Sequence, residues 1–312
     1  MAAMRRWAAM VVLLQLGVLA AGCGASGVPG RPLALQHAGV AHSKASHVAV
    51  VVMENKEDRA VLGTPEAPYL TRLARDYARV PQSYAIRHPS LPNYLALTSG
   101  STHRITSDCT DCSVDAPNLV DQLQARRISW KAYMQGMPGR CFAGAFAGGY
   151  AKKHDPFAYY DSVARDPSRC RKIVPYGELA ADLRDGRLPA FAWITPDLCN
   201  DSHDCDVRTG DRFLAQLVPL LLRGVGPRGF VVVTYDEGNT DRGCCGQAHG
   251  GRIATVIAGP DVRRGFRHAG RVDHFGTLGT IEDALGVPPL GGAADPRSGR
   301  FTDLFRHRPR VR

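Results

Sequence analysis

The chain has 312 residues, 44% hydrophobic and 22% charged, with a formal net charge of +10 and nine cysteines. Its apolar fraction excludes wholesale disorder, and its length suits one large domain or two small ones with a sizeable core. Thirty-three glycines and 21 prolines imply many loops, but no Gly-X-Y period is present.

The first element is a leader. Arg5 and Arg6 precede an apolar stretch from Trp7 to Ala21, interrupted by Gln15 and Gly17 and followed by Gly22 and Cys23. The run is too short for a comfortable membrane span and reads as a signal peptide over residues 1–22. Its end resembles a bacterial lipobox that would leave Cys23 acylated, although Ala20 stands where Leu is usual. Ordinary cleavage after an Ala-x-Ala-like site is the alternative, and both export the protein. Residues 1–22 hold two arginines and no acid, so the mature charge would be +8. Four of those charges are Arg306, Arg308, Arg310 and Arg312, a basic tail over 306–312 that either touches anionic lipid or cell-wall polymer or is a solvated end. No zinc-finger, helix-turn-helix or RNA-binding signature points to nucleic acid.

Residues 23–45 read as a flexible tether, and 46–305 as one catalytic domain. Apolar runs at His47–Met53, 128–134, 190–195, 229–235 and 252–258 read as strands. Helical patterns fall at 66–78, 92–99, 117–126, 176–184, 210–223 and 274–285. This alternation implies an α/β three-layer sandwich, with a mixed, mostly parallel sheet and helices on both faces. Beyond Cys23 the eight cysteines suggest disulfides in an exported chain. Spacing favours Cys109 with Cys112 and Cys199 with Cys205, and Cys141 with Cys170 would close a longer loop. Cys244 and Cys245 either bridge each other or take separate partners.

Ligands gather at the carboxyl ends of strands in such sheets. Two strands end in acids or amides, at Glu54-Asn55 and at Asp236-Glu237. Either would be ordinary strand termination alone. Together they suit a hard divalent cation such as Mg²⁺, Ca²⁺ or Mn²⁺, with Zn²⁺ if a histidine joins. Ser90, in His88-Pro89-Ser90-Leu91-Pro92-Asn93-Tyr94, stands where a helix would begin. It is either a cap or a nucleophile at a phosphate-binding helix start. The run Asp197 to Cys205 is dense in acids and amides and contains His203. His154, His249 and His274 stand singly.

These motifs, in this order, resemble the bacterial phosphoesterase family of secreted acid phosphatases and phospholipases C: Met-Glu-Asn, His-Pro-Ser-x-Pro-Asn-Tyr, Lys-His-x-Pro-Phe, Pro-x-x-x-Asn-Asp-x-His-Asp and Thr-Tyr-Asp-Glu-Gly. The short acid phosphatases, including a mycobacterial type acting on phosphatidylinositol 3-phosphate, are most similar. The resemblance covers about 47–305 and implies an alkaline-phosphatase-like fold and one or two divalent ions. It makes Glu54, Asn55, Ser90, Asp236 and Glu237 metal ligands and Ser90 the nucleophile. It places His154 and His203 near the phosphate or a second metal, and Asn93 on a phosphate oxygen. A cysteine-bearing loop after Glu237 departs from the family and leaves the role of His249 open.

The expected activity is phosphate-monoester hydrolysis through a phosphoserine, by a monomer acting on a soluble phosphate ester or a phospholipid headgroup and held at the membrane by a lipid anchor. A phospholipase C-type phosphodiesterase and a non-catalytic surface-binding lipoprotein are the alternatives. Arg-His-Gly-x-Arg and Gly-x-Ser-x-Gly motifs are both absent, which disfavours histidine acid phosphatases and α/β-hydrolases.

Overall fold

Val48–Met53 has no polar side chain and is buried along its whole length, as a strand covered on both faces must be. It lies at the centre of an eight-stranded sheet in the computed structural model, which describes residues 39–311. The signal peptide, Cys23 and most of the tether lie outside the described residues. In spatial order the strands are Phe266–Arg267, Ala78–Arg79, Thr255–Ala258, Phe230–Tyr235, Val48–Met53, Phe191–Thr195, Trp130–Met134 and Ile173–Pro175. Thr255–Ala258 runs against its two neighbours, and the other strands are parallel to one another.

Side-chain alternation divides the core. Val48, Val50 and Val52 face one layer with Leu91, Tyr94, Leu95, Leu278 and Ile281. Ala49, Val51 and Met53 face the other with Leu70, Leu179, Leu214 and Leu217. The first layer holds helices Ser90–Ser99, Leu119–Ala125 and His274–Leu285, and the second Pro68–Asp76, Glu178–Arg184 and Val207–Gly224. Five of the six have bounds within two residues of the sequence pattern. Val207–Gly224 starts three residues early because Asp206 caps it through the Thr209 N–H. Short strands such as Ala78–Arg79 and Ile173–Pro175 escape the pattern, because two or three residues carry no period. Among the described residues no helix is long and apolar enough to cross a membrane.

A small sheet of Arg252–Ile253, Ser83–Tyr84 and Val272–Asp273 carries the chain to the start of helix Ser90–Ser99. Hydrogen bonds from Ala85 N to Gly251 O and from His249 N to Ile86 O lace the approach. Gly251, at φ +93°, packs so close to Gly238 that a Cβ would lie 2.8 Å from its Cα, so both need glycine.

The four disulfides are Cys109–Cys112, Cys141–Cys170, Cys199–Cys205 and the vicinal Cys244–Cys245. Both chain ends differ from the sequence reading. The tether's last residues are packed, with Val40 buried and Ala41 N bonded to Leu183 O. The tail is not a solvated end as far as residue 311. Arg306 N donates to Asp261 O, His307 contacts the Asp261 carboxylate, and Val311 is buried with its N–H on Ala284 O.

Candidate active site

Three parallel strands end at one level. Val48–Met53 delivers Glu54, Phe230–Tyr235 delivers Asp236 and Glu237, and Phe191–Thr195 leads into the loop bearing Asp201 and His203. The backbone locks these exits together. Asp236 N donates to Met53 O at 2.9 Å, Glu54 N to Asp201 O at 2.9 Å, and Asn55 N to Asp236 Oδ1 at 2.9 Å. Asn55 turns the chain with φ +53°, a left-handed conformation that asparagine tolerates better than most residues.

Ser90 is the first residue of its helix, with Pro89 at the N-cap and no side-chain cap. The capping role is therefore not what this serine does. Its Oγ stands 3.2 Å from Glu54 Oε2 and 3.4 Å from Glu237 Oε1, and it is buried. Asp108 serves the helix start instead, accepting from Leu91 N at 3.0 Å through Oδ1. The other Asp108 oxygen accepts from Lys153 Nζ at 3.0 Å, and Nζ also lies 3.2 Å from His203 Nε2.

On the other side of Glu54 lies the His154 imidazole. Its Nε2 is 3.3 Å from Glu54 Oε1 and its Nδ1 3.4 Å from Asp201 Oδ2. It stacks on Tyr94 at 5.2 Å, and the Tyr94 hydroxyl donates to Glu54 Oε1. Glu54, His154 and His203 each offer a ligand atom within 4.8 Å of the others.

This cluster is short of positive charge. Burial, then Asp236 and Asp201, push Glu54 well above the usual carboxylate range. Burial, then Glu237, lift Asp236 to about 7, and burial, then Asp108, lift Glu237 to about 7. Burial also raises Asp201. Burial, then Lys153 and His203, hold His154 well below its usual value, so the ring is neutral. Burial alone would lower Lys153, but Asp108, Glu54 and Asp236 outweigh it and keep the ammonium charged. One amine cannot balance four carboxyls, whereas a divalent cation would. The donors fit one: Asp236 Oδ2, Asp201 Oδ2 and His154 Nε2 are buried without a hydrogen-bond partner, which is costly unless something binds them. The set combines carboxylate oxygens with imidazole, which suits Mn²⁺ or Zn²⁺ as well as harder ions.

Glu54, Asn55, Ser90, Asp236, Glu237, His154 and His203 are thus brought to one place. Asn93 belongs elsewhere, contrary to the phosphate contact expected of it. Its Oδ1 accepts from Ile86 N and Arg87 N, and its Nδ2 donates to Arg87 O and Pro89 O. Both amide hydrogens are spent on shaping the loop before Ser90, and none remains for a phosphate. His249 is exposed on the rim, where the cysteine-bearing loop packs Cys244 and Ala248 against Ile86 and Phe275. His274 is buried and bonds through Nε2 to Asp236 O at 2.5 Å, and burial lowers it to about 4. Through that bond it positions the acid pair.

Further residues join the site. His88 holds Glu237 Oε2 at 2.5 Å through Nδ1, and Tyr94, Lys153, Asp108 and Asp201 complete the arrangement. His88 and Tyr94 stand in the Ser90 motif, Lys153 beside His154 and Asp201 in the run from Asp197 to Cys205, whereas nothing in the sequence singles out Asp108.

The fold is that of the alkaline phosphatase superfamily. A superfamily member from Vibrio parahaemolyticus superposes with a TM-score of 0.55 at 14% identity, over 84% of this chain and 72% of that one. The chain belongs to the Phosphoesterase family, which matches residues 58–288. It is 31% identical over 298 residues to the phosphatidylinositol-3-phosphatase of Mycobacterium tuberculosis, covering 94% of this chain and 93% of that protein. It is 28% identical over 221 residues to an acid phosphatase of Aspergillus fumigatus, covering 67% of this chain and 48% of that longer protein.

Proposed function

We propose that this protein is an exported, metal-dependent phosphatase that hydrolyses phosphate monoesters through Ser90. It is a phosphoric monoester hydrolase of its family, and its near full-length similarity to a phosphatidylinositol-3-phosphatase makes phosphoinositides the first substrates to try. The observation that carries the mechanism is the Ser90 hydroxyl at a helix start, between Glu54 and Glu237.

Ser90 Oγ attacks phosphorus in line. The Oγ–P bond forms as the ester P–O bond breaks, and the serine proton passes to a flanking carboxylate. The leaving alkoxide takes a proton at the open side of the site, where His203 lies with its side chain 27% exposed. Water then hydrolyses the phosphoserine, with His203 placed to accept its proton. A divalent cation held by Glu54, Asp236, Glu237 and Asn55 would lower the serine pKa and neutralise phosphate charge. Lys153, held at the helix start by Asp108, meets the second negative charge that a monoester has and a diester lacks.

Export draws support from the leader and from four disulfides, which persist in oxidising compartments. Acylation of Cys23 would anchor the protein to a membrane, and the mass of the mature N-terminal peptide tests it.

Activity should be measured on p-nitrophenyl phosphate, phosphatidylinositol 3-phosphate and a choline phosphodiester. Inorganic phosphate is expected from the first two. Release of phosphocholine with no monoester turnover would establish the phospholipase C reading instead. Lys153→Met is expected to lose about 10²-fold in kcat/KM on p-nitrophenyl phosphate and far less on bis-p-nitrophenyl phosphate. Equal losses on both would refute the charge-reading role.

A further inference from the structure

A cavity of about 460 Å³ opens at the edge of the eight-stranded sheet and shares no lining residue with the active site. Its volume lies in the range of small-ligand sites. Arg79 and Arg267 line it from adjacent parallel strands, where they are direct register partners. Two like charges placed opposite each other repel, and neither guanidinium has a hydrogen-bond or ion-pair partner among the described residues. The nearby acid Asp58 is already paired with Arg252 at 2.8 Å. Burial and then the Arg267 charge hold Arg79 below its ordinary value, outweighing the attraction of Asp58.

The rest of the cavity sets the ligand's shape. The exposed Arg75 lies on the wall with the half-buried Asp76 as its ion-pair partner. Leu62 and Ala74 give an apolar surface, and at Gly63 a Cβ would meet nothing within 4 Å. Arg263 and Arg264, stacked on Phe266 and Tyr77 at 5.2 and 5.3 Å, add positive charge on neighbouring residues. Guanidinium forks match the oxygens of phosphate bidentately. The volume would hold roughly fifteen waters at ~30 Å³ each, which leaves room for an organic group as well.

We propose that this cavity is a second, non-catalytic binding site for a phosphate ester, with the phosphate between Arg79 and Arg267 and a compact organic group against Leu62 and Ala74. The phosphate belongs either to a soluble ester or to a lipid headgroup. The cavity site does not rest on the reading of the active site, which bears only on whether a titration shows a second, Arg267-independent event.

The test uses the metal-loaded Ser90→Ala protein, which keeps ligands from being hydrolysed by the expected chemistry. Calorimetric titration with glycerol 3-phosphate is expected to resolve two sites. Adding Arg267→Gln or Arg79→Gln is expected to weaken one of them at least tenfold and leave the other unchanged. Arg267 is exposed, so its variant folds even if the half-buried Arg79 variant does not. With Ser90 restored, Arg267→Gln retains p-nitrophenyl phosphate turnover. Sedimentation with phosphatidylcholine vesicles, with and without phosphatidic acid, distinguishes the sources. Arg267-dependent binding of either ligand supports the site and identifies its source. Binding unchanged within twofold in Arg267→Gln, or absent in both arms, overturns it.

Discussion

Ser90→Ala is expected to lower turnover of p-nitrophenyl phosphate by about 10³-fold or more, the scale on which nucleophile removal acts, while the protein stays folded. Ser90 Oγ supports no helix cap and contacts only Glu54 and Glu237 by hydrogen bonding, so its loss removes chemistry without unpicking structure. Two measurements decide the role. Rapid quenching of the wild-type protein in acid should trap one phosphate per chain on the peptide containing Ser90. Circular dichroism and thermal unfolding should show the alanine variant within a few degrees of wild type. Near-wild-type turnover in a folded variant would remove Ser90 from the mechanism.

Removing divalent cations is expected to abolish activity and to change how stability depends on pH. In the metal-free protein, burial holds Asp236 and Glu237 at about 7, against about 4 for such groups in an unfolded chain. Between those values the folded protein keeps protons that the unfolded chain releases. The stability these two groups contribute is therefore fullest below about pH 4 and is lost as pH rises through 7. A bound cation favours the ionised carboxylates and removes that fall. Thermal midpoints of EDTA-treated protein from pH 4.5 to 7.5 should decline, and adding back Mn²⁺, Zn²⁺, Mg²⁺ or Ca²⁺ singly should raise the upper end and restore turnover. Full activity after verified metal removal, or a midpoint that rises with pH in the metal-free protein, would refute the cation's place in this cluster.

Much of the site is legible in the sequence because its groups sit at the ends of recognisable elements. Glu54-Asn55 and Asp236-Glu237 end apolar runs whose parallel pairing, Met53 opposite Tyr235, brings both pairs to one edge. The assignment of Asn93 failed for an equally physical reason. An asparagine at a helix start can turn to a ligand or to its own loop, and four backbone groups within seven residues claim it here. His88, Lys153 and Asp108 each matter through a partner distant in the chain. His88 and Lys153 stand in two of the motifs and Asp108 in none, but no spacing tells which distant group each will meet.

The sequence alone determined the layered α/β architecture, because strand and helix periodicities are local and the apolar runs are long enough to read. It also determined the helix that begins near Ser90 and the two polar strand ends, Glu54-Asn55 and Asp236-Glu237. Only the tertiary structure decided what surrounds them. Helix packing set Tyr94 and His154 against Glu54, and the Cys109–Cys112 loop carried Asp108 to the start of the Ser90 helix. It also brought the formal charge of +10 into a different light, since two of its arginines meet unpaired at a sheet edge and its basic tail lies docked as far as Val311. Charge and side-chain type are properties of residues, but desolvation and pairing depend on which distant residues the fold makes neighbours.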